Sequence, residues 1–101
     1  MKHAKELEIV TFAQLKFEPH RMGTGVHATY FTGNGYGVSV IQTPFSYGGP
    51  LGQYEVAVVK GDHNEWHLNY DTPVTSDVIG WCDPDRVVEI IAQVAALQPT
   101  T

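Results

Sequence analysis

The sequence predicts an α+β domain: a four-stranded antiparallel β-meander of two hairpins, packed against a C-terminal α-helix. Three observations carry this reading. The runs "VHATYFT" and "YGVSVIQT" change polarity with period two on either side of Asn34-Gly35, a dipeptide suited to a tight hairpin turn. The stretch 65–71 places Trp66, Leu68 and Tyr70 on one side and Glu65, His67, Asn69 and Asp71 on the other, the mark of a half-buried strand. Along 84–97, Val87, Ile90, Ile91, Val94 and Leu97 recur at three- and four-residue spacing, which makes one apolar stripe on a helix.

Taken in order, residues 1–10 are charged and then apolar at Leu7, Ile9 and Val10, and read as an N-terminal arm, a short strand or a helix start. Thr11 and Gln14 have the spacing of a capping box, so a short N-terminal helix is expected at 12–16. Pro19 and the run "MGTG" at 22–25 end it. Strands are expected near 26–32, 36–43, 54–60 and 65–71. A two-residue turn at Asn34-Gly35 sets Phe31 opposite Val38, Thr29 opposite Val40 and Tyr30 opposite Ser39. Phe31, Val38 and Val40 then share one face, and Val26, Ala28, Tyr30 and Ile41 share the other. With apolar groups on both faces, this hairpin is expected at the centre of the sheet. The second hairpin turns at "GDHN", with Trp66, Leu68, Tyr70 and nearby valines as its core. "DTPVTSDVIGW" is a connection whose Asp, Thr and Ser side chains can bond local amides. Asp83-Pro84 starts the last helix, with Asp as N-cap and Pro at the first helical position.

The chain has 101 residues, enough for a single domain spanning 1–101 with one modest core. Its formal charge is −5, with six Lys and Arg in all, three of them near the N-terminus. Phosphate neutralisation needs clustered cations, so direct nucleic-acid binding is disfavoured. No apolar run is long enough to span a membrane as a helix, and the first ten residues lack the apolar core of a signal peptide. The single cysteine, Cys82, can form no disulfide within the chain and is expected to serve as a small apolar group. A cytoplasmic protein without a cofactor is the simplest expectation.

Tests for catalytic or metal chemistry lead to structural readings. His63 and His67 are four apart, but on a turn and strand rather than a helix, and Glu65 is one place too late for a zinc-protease motif. His27 and His67 would have to meet across strands. Ser46 in "FSYGG" is not in a nucleophile elbow. "GTGVHA" and "GNGYG" lack the strand-loop-helix setting and the lysine of a phosphate loop. Asp71, Asp77, Asp83 and Asp85 are read as caps and turn formers. No catalytic or metal-binding residue is therefore nominated. What stands out is "TPFSYGGPLGQYE", 43–55, where Phe45 and Tyr47 adjoin Gly48, Gly49 and Pro50. Glycines admit close backbone approach and aromatics bring large contact area. Such a loop is either packed internally between the hairpins or a recognition surface. In the second case Phe45, Tyr47, Gly48, Gly49 and Tyr54 form it, with Asp71, Thr72 and Asp77 along its edge.

In wording and order, "LKFEPH", "NGYGVSV", "TPFSYGG", "YEVAVV" and "YDTPVTSDVIGW" resemble a group of small proteins encoded by bacteriophages and prophages, over residues 11–97. The group has no known active site, so the resemblance implies a setting only: a phage product acting in the bacterial cytoplasm by binding. The expectation is a non-enzymatic accessory protein that binds a host or phage protein and counters host defence. The alternatives are capture of a small molecule such as a signalling nucleotide, a small hydrolase, or a virion assembly protein. A homo-oligomer, most simply a dimer, is expected to cover sheet edges and aromatic loops.

Overall fold

The computed structural model describes residues 11–100; the expectation for the N-terminal arm falls outside them. The architecture is α+β, with one antiparallel sheet and one C-terminal helix. The strands are β1 (Glu18–Pro19), β2 (Val26–Phe31), β3 (Tyr36–Gln42), β4 (Tyr54–Asp62), β5 (Glu65–Leu68) and β6 (Ile79–Cys82), followed by helix α1 (Pro84–Ala95). The expected meander is present as β2-β3-β4-β5. Two strands were not expected: β1 extends the sheet beyond β2, and β6 emerges from the 71–81 connection to pair with β4. Nine-residue β4 is thus the spine. β3 lies along one side, while β5 and β6 share the other, β5 at Val59–Asp62 and β6 at Tyr54 and Val56.

The first hairpin corrects the expected register. Tyr30 pairs with Val38, Thr29 with Ser39, Ala28 with Val40 and Phe31 with Gly37. The turn has three residues, with Gly33 and Gly35 both at positive φ around Asn34. Glycine on each side makes this longer turn accessible, and a one-residue slip moves every side chain to the other face. Phe31 consequently lies opposite the face of Val38 and Val40. Asn34 is drawn out of the two-residue turn by the helix: its Nδ2 donates to the carbonyl oxygens of Val94 and Leu97 at 2.9 and 3.2 Å, and its Oδ1 accepts from the Tyr36 amide.

The core forms where α1 crosses the sheet. Val87, Ile90, Ile91 and Val94 are fully buried against Ala28, Val38, Val40, Val56 and Val58. The helix starts as the sequence predicts, with Pro84 at its first position and Asp83 Oδ1 accepting from the Arg86 amide at 2.8 Å. It ends at Ala95, and Leu97 packs on the core just beyond it. The expected helix at 12–16 is only a 3₁₀ turn, Phe12–Gln14, with Gln14 Oε1 accepting the Thr11 amide. It brings Phe12 against Phe17 and Tyr54, with ring centroids 5.0–5.6 Å apart.

The Trp66, Leu68 and Tyr70 core is also corrected. Trp66 is half-buried, Leu68 and Tyr70 are exposed, and β5 stops at Leu68. Their alternation is real, but it points to the face of the sheet away from α1. Trp66 pairs with Gly61 and Leu68 with Val59, both on that second face.

Candidate functional site

The loop between β3 and β4 is built from the inside by polar bonds and glycines. Thr43 Oγ1 accepts from the Phe45 and Ser46 amides at 3.1 and 2.9 Å. Buried Ser46 Oγ accepts from the Thr43 amide and donates to the Thr43 carbonyl. Ser46 is therefore a turn clamp. Gly48 has φ of 91°, and the chain then closes a 3₁₀ turn at Gly49–Leu51, with the Gln53 amide donating to the Gly48 carbonyl oxygen. A Cβ on Gly49 would lie 1.8 Å from the Thr43 carbonyl oxygen, so that position admits glycine alone.

This clamped loop is docked on β6 and β4. The Trp81 amide donates to the Tyr47 carbonyl at 3.1 Å, and the Tyr47 amide donates to Glu55 Oε1 at 2.8 Å. Gly80 has no side chain to hold the loop away: a Cβ there would sit 2.4 Å from that of Tyr47. The rings of Tyr47 and Trp81 stack with centroids 5.3 Å apart and planes 25° apart.

The backbone is held, yet the large side chains face outward. Phe45 is 90% exposed, Leu51 75%, Trp81 60% and Tyr47 54%. Trp81 is also the one non-glycine residue at positive φ among the described residues, at 53°. A bulky residue there costs roughly 1 kcal/mol or more, and strain of this kind collects at functional sites. Behind it, Cys82 is fully buried with its thiol aimed at the Ile79 and Gly80 carbonyls, and burial pushes the thiol pKa up. It stays protonated at neutral pH and acts as packing.

No family model, curated protein or solved structure matches this chain. The residues nominated from sequence must be placed by geometry alone. Phe45, Tyr47, Gly48 and Gly49 come together on the docked loop. Tyr54 starts β4 and turns inward to Phe12 and Phe17, where it holds the base of the loop. Asp71 and Thr72 line a different hollow, with Tyr36, Pro73, Ala96, Leu97 and Gln98, near the end of α1. Asp77 forms a local turn, accepting from the Val78 amide through Oδ1 and from Thr75 Oγ1 through its carbonyl. Trp81 was not nominated. No local pattern in "IGWC" marks it, because β6 has four residues and its pairing with β4 is irregular.

The site offers a rigid apolar and aromatic surface with hydrogen-bonding edges at the Tyr47 hydroxyl and the Trp81 indole N–H. Chemically this suits contact with a protein surface. Among the described residues, no three His, Cys, Asp or Glu side chains gather as metal ligands would.

Proposed function

We propose that this chain is a small phage-type accessory binding protein that engages a host or phage protein through Phe45, Tyr47, Leu51 and Trp81. The observation that carries the reading is the pairing of a tightly bonded loop with outward aromatics: Phe45 is 90% exposed on a backbone fixed by Thr43 and Ser46. Trp and Tyr at the centre of a contact supply most of its energy, and a pre-ordered loop loses little entropy on binding. The resemblance to phage-encoded proteins supports a bacterial host cytoplasm as the setting and host defence as the target. Action by binding rather than by catalysis fits the same surface.

The test is affinity capture from host lysate with the chain and with a Phe45→Ala/Tyr47→Ala variant. The variant is expected to keep its circular dichroism and thermal midpoint, because neither ring is in the core, and to lose the partner held by the parent chain. Retained capture would show that the loop is not the contact surface. A second measurement protects the conclusion: Trp81 indole fluorescence should shift on adding the purified partner. We further propose that the chain pairs as a two-fold dimer in solution.

A further inference from the structure

The face of the sheet turned away from α1 holds a hollow that the aromatic loop leaves unused. Strand register sends His27, Ser39, Ile41, Glu55 and Ala57 to this face. Trp66 and Leu68 of β5 wall it on one side, and the turn between β1 and β2 brings His20 and Arg21 to the other. Its volume is about 270 Å³, and an adjoining hollow of about 380 Å³ shares His20, Ile41 and Glu55 with it. Small-molecule sites are concavities of roughly 300–1,000 Å³ with apolar walls and a few placed polar groups.

The polar groups here are placed. The 20–25 turn is closed by bonds from the His20 amide to the Gly25 carbonyl and from the Gly23 amide to the His20 carbonyl. His20 Nδ1 accepts from the Met22 amide at 3.1 Å, which puts the ring proton on Nε2 as a donor. His27 Nε2 lies 3.0 Å from Ser39 Oγ, and its ring centroid is 6.2 Å from that of Trp66. Of the carboxylates, Glu55 is already engaged by the Tyr47 amide, and Glu18 sits across from His27 in the β1–β2 pairing.

We propose that this hollow binds a small planar aromatic ring carrying one anionic group, with the ring against Trp66, Ile41 and Leu68 and the anion at Arg21 and His20. The apolar wall takes the ring face, and a guanidinium meets a carboxylate or phosphate with two parallel hydrogen bonds. Burial, then the nearby His20 and Arg21, pushes the His27 pKa down. Neutral His27 and Ser39 then offer a donor and an acceptor to the ring edge. The residues nominated here, Arg21, His20, His27, Ser39 and Trp66, are not those of the protein contact proposed above, although the adjoining hollow reaches Thr43, Phe45 and Ser46 of the loop.

The experiment titrates the chain with indole-3-acetate and with adenosine 5′-monophosphate. Binding is followed by amide chemical shifts for both probes and, for adenosine 5′-monophosphate, also by Trp66 fluorescence in a Trp81→Phe background. Saturable binding of at least one probe below about 1 mM is expected, with the better probe showing whether carboxylate or phosphate is preferred. Arg21→Ala, on an exposed turn, should weaken that binding about tenfold or more while the fold is kept. Adenosine or inorganic phosphate alone should bind far more weakly than the joined molecule. Absence of saturation by either probe up to roughly 10 mM overturns the proposal, as does unchanged affinity in Arg21→Ala. Arg21→Ala tests this site alone and Phe45→Ala/Tyr47→Ala tests partner capture, so failure of one reading is distinguishable from failure of the other.

Discussion

Trp81 combines a left-handed backbone, at φ 53°, with a ring that is 60% exposed. Asn tolerates that conformation better than Trp, so relief of strain offsets loss of the stack on Tyr47. Trp81→Asn should therefore change unfolding free energy by less than about 1 kcal/mol in urea titration, yet abolish partner capture. A large loss of stability would instead assign Trp81 a packing role. His27 gives a second prediction. Its folded pKa lies below the ordinary 6.5, first because of burial and then because of His20 and Arg21, against a smaller opposing effect of Glu18. The unfolded chain then binds a proton that the folded chain resists. Stability is full above about pH 6.5 and declines as pH falls through the unfolded value towards the folded one. The other charged group on that face is Glu55. In His27→Gln the melting temperature should fall less between pH 7 and 5 than in the parent; an unchanged slope would remove His27 as the source.

At the scale of elements, the tip of the first hairpin and the end of α1 behave as one unit. Asn34 Nδ2 donates to the carbonyl oxygens of Val94, which also accepts the Leu97 amide, and of Leu97, and the Thr100 amide donates to the Asn34 carbonyl at 3.0 Å. Asn34→Ala should destabilise by about 1–2 kcal/mol by urea titration, and Asn34→Asp by more, since a carboxylate cannot donate and faces the negative end of the helix dipole. Equal stability of Asn34→Asp and the parent would mean that the side chain is not holding the helix. The same residue explains what was and was not legible. Period-two runs, the Asp83-Pro84 cap and the spacing from Val87 to Val94 are local, and they gave the meander and the helix. The register depended on Asn34 bonding to a helix some sixty residues away, which no local pattern carries. β1 has two residues and β6 four, both too short for alternation to declare them against turn-rich surroundings. Trp66 and Leu68 misled because alternation shows that one face is apolar without showing which side the helix covers. In the site, the glycines and aromatics of 43–55 could be read directly, whereas Trp81 joined them only through the pairing of β6 with β4.

For the whole molecule, one helix covers one face of the sheet, while aromatic and apolar side chains remain outside on the loop and on β5. A second copy is the simplest cover, and a modest net charge of −5 opposes pairing only weakly. Size-exclusion chromatography with light scattering at micromolar concentration should give about twice the 11.1 kDa of one chain; a strict monomer would rule the dimer out. The way the loop is anchored has a consequence for engineering. Gly49 and Gly80 fix its path through contacts that no side chain could replace, while Phe45 and Leu51 project from it, and Trp81 from β6 beside it, without entering the core. Identity at 45 and 51 is thus uncoupled from folding, whereas 81 favours residues that accept a left-handed backbone. A display library randomised at 45 and 51, with the glycines retained, would search new binding specificities on an unchanged scaffold.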